Sequence, residues 1–452
     1  MNQMDFNFSR PIDFQKNIGT NILENLISSI KTNSSDQILH KHVKYLVLEL
    51  YYCWYESENQ FLSVSLSKRG YKAKSRYNPN KISSRMIDAI KLLKNNGLID
   101  YFPGFFDEKK KISRQTRIRA SKEVIQEFKN KAFYPNISIN HKRREVLFLR
   151  EKNKLIEYKD DFNTHEIREI ISFYNSIIEK TLFDIPILND SFITRADGKK
   201  IAISPTNSTC EANYEGEIGN RLLFSGSWWN KLDYFSLNKY EKFLCINNNE
   251  TSFCDLSDYF VDYLNKTFNK NFSYFKKNRP SYFNNQDQLF QFVCKGFSSK
   301  NLEGLYRSFL NDRTKLDLPK SIDRKSFRLM VSVFLEKNRV FSELFFKNKS
   351  TGWHEFLNSL CLKLIKTFAS SKIPVFLIKN KLFFPYALRH NVIPHIENIL
   401  VKSLNPKKIS IELTKCYNYS FNTKKILNSI LNKKEVSSRY LKKRELFIKK
   451  LR

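Results

Sequence analysis

The side chains able to do chemistry in this sequence are chiefly cationic, and their clustering points at phosphate. Tyr71, Lys72, Lys74 and Arg76 lie in one loop-like stretch, and Arg85 and Lys91 follow on the next periodic segment. Lys109, Lys110, Lys111, Arg114, Arg117 and Arg119 crowd a single hairpin-like stretch, and Lys442, Lys443 and Arg444 form another basic group. Ammonium and guanidinium groups at this density bind nucleic-acid backbones by neutralising phosphates and releasing counterions. Over 452 residues, 78 Lys plus Arg stand against 45 Asp plus Glu, a formal net charge of +33. Such an excess needs a polyanion: a free nucleic acid, a ribosome or an anionic membrane surface. Heavy use of Asn, Lys, Ile and Phe, with few Gly and Ala, also fits an AT-rich genome, a source of lysine independent of function.

Other chemistries find little footing. The seven cysteines are scattered and never spaced as C-x-x-C, which argues for a reducing compartment and against a zinc site. With 11 Gly in the chain there is no G-x-x-x-x-G-K-[ST] loop, no G-x-G-x-x-G turn and no G-x-S-x-G elbow. His40-Lys41-His42 followed by Tyr51-Tyr52 invites comparison with rolling-circle nickases. Residues two apart on a helix point about 200° apart, however, and lysine sits where the apolar residue belongs, so the spacing argues against nicking.

The elements that must position these cations are legible in part. Residues 1–36 read as a polar arm with one helical stretch around Ile22 to Ile30. Helical periodicity runs from Ile38 to Tyr55, followed by strand-like alternation from Phe61 to Leu66 and a basic loop from Lys68 to Lys81. Ser83 or Ser84 is then expected to cap a helix bearing Met86, Ile87, Ile90, Leu92 and Leu93, ending at Asn95, Asn96 and Gly97. Leu98, Ile99 and Tyr101 predict one strand, Pro103-Gly104 and Glu108 to Lys111 the turn region, and Thr116, Ile118 and Ala120 the returning strand. Helix followed by hairpin is the order of a winged helix, which places a helix in the major groove and a cationic hairpin on the adjacent backbone. A helix-plus-hairpin module that holds a protein partner has the same pattern. The expected divisions are a winged-helix domain over 37–135, a charged helical connector over 136–159 that includes His141 to Arg144, a mixed α/β domain over 160–400 and a basic helical tail over 401–452. Neither an export signal nor a membrane span is expected, because the best apolar run, Tyr45 to Tyr55, is short and interrupted by Glu49.

Three segments of the larger region carry a resemblance: Arg221 to Trp229 with the strand-like stretch ending Cys254-Asp255-Leu256-Ser257, the helix-like stretch containing Lys295, and a helix, Ser-Ser-Lys turn and apolar hairpin with Lys379-Asn380-Lys381 at its tip. Their order resembles phage and mobile-element proteins that join a winged helix to a domain similar to the palm of family A DNA polymerases. The resemblance covers residues 60 to 400. It implies that Asp255 is the first metal-binding carboxylate and that Lys295 faces an incoming triphosphate, with Gly304 a loose match further along that helix. Pro374-Val375 matches the closing hairpin, but Lys379, Asn380 and Lys381 stand where the family has His-Asp-Ser. Two-metal phosphoryl transfer needs carboxylates from two strand ends, so this departure argues for a palm-like fold turned to binding. Trp228 and Trp229 are candidates for base stacking, or for core and rim.

The resulting expectation is an α+β protein: a winged helix, a larger palm-like domain and a basic helical tail. It is expected to bind duplex DNA of a plasmid, phage or other mobile element in replication or maintenance, nucleoid-associated in the cytoplasm or in an organelle matrix. No cofactor is expected for binding, and a homodimer is an open state because winged-helix initiators often pair. One rival is a template-dependent polymerase or primase using Asp255 and Mg²⁺, disfavoured because Asn380 replaces the second carboxylate. The other is an RNA- or ribosome-associated protein.

Overall fold

In the computed structural model, the described residues are 4–15, 36–109, 111–130, 145–151, 154–203, 211–215, 222–270, 272, 283, 286–311, 322–349, 351–405, 411–417, 419–420 and 434–451. Over these the chain is mixed α+β, and no helix among them is long and apolar enough to cross a membrane.

The first core forms around helix α1 (Gln37–Glu56), which Asp36 starts by accepting hydrogen bonds from the amides of Ile38 and Leu39. Its side chains from Val43 to Cys53 are almost all buried, as expected of a helix covered on several sides. Glu49, inside this core, accepts from Arg10 Nη1 at 2.6 Å and from the Asp13 amide at 3.1 Å. The arm expected over 1–36 is therefore corrected in its first part: β1 (Ser9–Pro11) runs parallel to β2 (Phe61–Val64), and Phe8 is buried. Burial of one aromatic ring and completion of a sheet edge outweigh the polar composition around them. The stretch Ile22 to Ile30 lies outside the described residues.

After the 68–81 loop come α2 (Met86–Asn95), β3 (Ile99–Phe102), β4 (Phe105–Asp107), β5 (Ile112–Arg114), β6 (Thr116–Ala120) and α3 (Lys122–Asn130). The sheet order is β1-β2-β6-β3, with β6 antiparallel to both β2 and β3, and β4 and β5 form a hairpin beyond it. Gly97, at φ +67°, ends α2. Its amide donates to the Lys94 carbonyl at 3.0 Å, and that of Leu98 to the Leu93 carbonyl at 2.9 Å, which turns the chain into β3. The expected serine cap is not formed. Arg85 is the N-cap, and Ser83 and Ser84 instead offer their carbonyls to Met86 and Ile87 in tight turns. Ser83 is held by His42, whose Nε2 accepts the Ser83 amide at 2.9 Å while Nδ1 donates to the Ile38 carbonyl at 2.7 Å.

The expected helical connector is a second correction. Residues 131–144, with His141 to Arg144, lie outside the described residues, but the chain beyond them is extended: β7 (Leu147–Glu151) and β8 (Lys154–Leu155). Leu147, Phe148 and Leu149 form an unbroken buried run that pairs with a distant strand, and the charges of Arg150, Glu151 and Lys154 fall at the turn end of the hairpin. Asp161 then opens α4 (Phe162–Ile178) through a reciprocal cap with Thr164.

The larger core, running from Val146 to Cys416, contains β9 (Phe183–Asp184), β10 (Phe192–Thr194), β11 (Lys200–Ala202), β12 (Glu211–Glu215), β13 (Leu222–Ser225) and α5 (Tyr234–Tyr240). These are followed by β14 (Cys245–Ile246), β15 (Thr251–Asp255), α6 (Phe260–Phe268), α7 (Gln286–Ser298), α8 (Leu302–Asn311), α9 (Arg324–Lys337), α10 (Arg339–Ser342) and α11 (Trp353–Ser370). β16 (Phe376–Ile378), β17 (Lys381–Pro385), α12 (Arg389–Leu404) and β18 (Thr414–Lys415) complete it. Two four-stranded sheets organise this part, in the orders β13-β12-β7-β8 and β16-β17-β15-β18, the latter antiparallel throughout. The helix-like stretch that carries Lys295 is two helices, α7 and α8, so Gly304 lies on the second of them.

The basic tail contains a docked helix, α13 (Ser438–Leu451). Tyr440 and Phe447 are buried, and Arg439 pairs with the fully buried Asp184.

Candidate nucleic-acid interface

The cations singled out by sequence divide into those already held by carboxylates or carbonyls and those left facing water. Arg76 belongs to the first class. Its guanidinium donates to Glu145 at 3.0 Å, Asp160 at 2.7 Å and the Tyr158 carbonyl at 2.7 Å, and lies 3.7 Å from the Tyr158 ring centre. Arg168 joins the same two carboxylates, so this four-charge cluster fastens the 68–81 loop to the start of α4. Arg119 pairs with Asp100 at 2.7 Å, and Arg85 with Asp36 and Asp88. Arg117 donates to the Phe6 carbonyl, Ser63 Oγ and the Gln115 carbonyl. Burial, followed by the neighbouring Arg114, lowers the pKa of Arg117. Arg114 lies over the Phe6 ring at 4.2 Å and donates to the Pro103 carbonyl. Tyr71 donates to the Ser65 carbonyl at 2.6 Å, and burial pushes its phenol up to about 12.

The second class gathers in three places. Lys91, Lys109 and Lys111 are exposed on α2 and on the β4–β5 turn, and none makes an ion pair among the described residues. Lys94, which the sequence did not single out, joins them on the outer face of α2 with its ammonium 4.4 Å from the Tyr101 ring. Its i, i+3 spacing from Lys91 could have revealed it. Lys110 lies outside the described residues. Lys72 and Lys74, also exposed, line a cavity of about 590 Å³ with Ser75, Ile156 and Glu157. In α13 only Lys442 of the predicted trio is fully exposed. Lys443 is buried, donating to the Tyr55 carbonyl at 2.6 Å above the Tyr55 ring, and Arg444 is half-buried.

The aromatic candidates for base stacking are corrected. Trp228 and Trp229 are 3% and 1% exposed, packed with Phe183 and Phe376 in the larger core, so neither indole face is open to a base. His42 and Tyr51-Tyr52 are likewise buried in the first core.

Asp255 stands at the end of β15, where its carboxylate accepts from the Ser257 amide at 2.9 Å and from the Ser257 hydroxyl, capping a tight turn. Directly across the ladder is Lys381, a buried ammonium that donates to Glu241. Asn380 donates to the Tyr234 hydroxyl at 3.4 Å. Burial raises the Asp255 pKa, Lys381 and the Ser257 hydrogen bonds oppose it, and Asp258 adds to the rise. Lys295 does not extend this cluster: its ammonium donates to Ser308 on α8 at 2.9 Å. Paired Mg²⁺ ions need several converging carboxylates. At this strand pair one carboxylate faces an ammonium that is itself claimed by Glu241, a set that does not fit such a pair. Among the described residues no group of three or more His, Cys, Asp or Glu is placed to hold a metal ion.

No family model matches the chain, and no curated protein matches it.

Proposed function

We propose that the chain is a DNA-binding protein of a plasmid, phage or other mobile element, acting in its replication or maintenance by docking a winged helix on duplex DNA. The observation that carries this reading is the placement of Lys91 and Lys94 on the outer face of α2, with Lys109 and Lys111 on the hairpin that comes next in the same small unit. A helix of this diameter enters the major groove, and a hairpin beside it reaches the backbone. The +33 charge supplies attraction and encounter rate without sequence information. The larger domain, read as palm-like, serves in this proposal as a binding platform and needs no cofactor.

The test is binding of labelled duplex from the element's replication region, against random duplex and structured RNA, across a salt series. The expected result is a preference for the element's duplex that persists as salt rises. Charge reversal at Lys91, Lys109 and Lys111 should weaken binding and flatten the salt dependence by about one unit of slope for each phosphate no longer neutralised. Unchanged duplex affinity in that variant removes the proposal. Preference for RNA at fixed salt moves the RNA-associated reading ahead. Template-dependent nucleotide incorporation remains the enzymatic rival, supported by the strand-end position of Asp255 and opposed by the ammonium across from it. Magnesium-dependent incorporation abolished by Asp255→Ala would favour that rival.

A further inference from the structure

Phe105, Phe106 and Ile112 are 49%, 71% and 51% exposed at the outer end of the β4–β5 hairpin. The pairing register sorts them onto two faces. Phe105 lies opposite Arg114 and Asp107 opposite Ile112, so these four share one face, while Phe106 and Ser113 share the other. On the first face the Arg114 guanidinium lies 5.2 Å from the Phe105 ring centre, so the protein itself partly claims that ring. Phe106 makes no ring or cation contact among the described residues. Among the described residues of the first unit it is the most exposed aromatic side chain.

The hairpin that carries this ring is firmly aimed. The Gly104 amide donates to Thr116 Oγ1 at 3.1 Å. A Cβ on Gly104 would lie 2.5 Å from the Arg114 carbonyl oxygen and 2.8 Å from the Thr116 nitrogen, so the two strands touch at the bend and only glycine fits. β6, which continues the returning strand, is held on both sides by β2 and β3. Lys109 and Lys111 stand exposed in the turn at the tip, with the exposed Glu108 beside them.

We infer that Phe106 is a base-stacking wedge for duplex DNA, its ring entering between neighbouring base pairs from a groove while Lys109 and Lys111 hold the flanking phosphates. The inference rests on the DNA-docking reading above. A protruding ring on a hairpin whose tip carries two exposed lysines matches a stack of π-faces bordered by phosphates, and insertion of an apolar wedge partly unstacks the step and kinks the duplex. Stacking of this kind tolerates any base, so the wedge would add affinity to a site chosen by α2.

The experiment uses the full chain and duplexes carrying 2-aminopurine at successive positions, whose fluorescence rises when its stack opens. Wild-type protein is expected to raise the signal at one or two positions. Phe106→Ala should bind roughly 5- to 100-fold more weakly at fixed salt, lose the signal and keep the wild-type salt slope, because no charge is removed. Phe106→Trp should restore both affinity and signal. The ring is exposed, so these substitutions leave the core intact, and an unchanged melting temperature checks this. Wild-type affinity and signal in Phe106→Ala would overturn the wedge while leaving DNA docking in place, provided that Lys109→Glu with Lys111→Glu still weakens binding. Failure of the wild-type chain to bind duplex would overturn both. A shift to a smaller species in sedimentation on Phe106→Ala, with the 2-aminopurine signal retained, would assign the ring to a contact between copies and overturn the wedge.

Discussion

Lys443 is a cation recruited for packing rather than for phosphate. Burial lowers its pKa to about 8 from 10.5, with Glu56 acting in the opposite direction. The folded protein thus holds this proton less tightly than the unfolded chain does, and unfolding takes up a proton between those two values. The cost of the buried charge is therefore present in full at neutral pH and relieved as pH climbs from about 8 to about 10.5. Lys443→Met removes the titration, so the melting temperature of the wild type relative to this variant should rise across that window. A flat difference would show that the ammonium reaches water. Arg439 makes the complementary case. Its guanidinium donates to both oxygens of Asp184, at 3.1 and 2.8 Å, and to the Ile185 and Leu188 carbonyls. Arg439→Ala strands a carboxylate that is fully buried and should cost about 3 to 5 kcal/mol in chemical denaturation, far more than a surface pair. Arg76, Arg117 and Lys443 looked from sequence like phosphate ligands because Glu145, the Phe6 carbonyl and Tyr55 are remote along the chain.

Among the elements, α2 and its exit are the best specified locally. The apolar face over Met86, Ile90 and Leu93 and the glycine stop at residue 97 belong to one short stretch of chain, and both are formed. Gly97→Ala meets no neighbouring atom, so its cost is the left-handed backbone alone, about 1 to 2 kcal/mol by denaturation. A loss near zero would mean that the turn relaxes. Helix starts were less legible. Ser83 and Ser84 both suit a cap, yet neither forms it, and His42, on a helix separated from them by a strand and a loop, holds Ser83 in a different role. The 145–155 hairpin was also illegible as strand, because its partner β12 begins at Glu211 and a run of three apolar residues suits either structure.

At the scale of the whole molecule, several contacts tie the two cores together, among them the Asp5–Lys200 ion pair and the Phe8–Phe192 ring contact. The Arg76–Glu145–Arg168–Asp160 cluster joins the 68–81 loop to α4, and α13 reaches from Asp184 and Asn248 to Tyr55. The protein is expected to melt in one cooperative calorimetric transition, and the double variant Arg76→Ala, Lys443→Ala in two. A single transition in the double variant would place the coupling elsewhere. Pairing of Arg76, Arg85 and Arg119 with carboxylates leaves lysines on the outer face of α2, at the hairpin tip and in the 68–81 loop as exposed cationic surface of the first unit.

The sequence by itself determined the charge, the α+β class, and the helix and hairpin built from neighbouring residues, because periodicity, glycine stops and turn chemistry act over a few positions. Only the tertiary structure decided which cations remain available, that Trp228 and Trp229 belong to the core, and that Lys381 rather than a second carboxylate faces Asp255. Ion pairing and burial depend on groups brought together from tens to hundreds of positions apart, and no local pattern records which of them will meet.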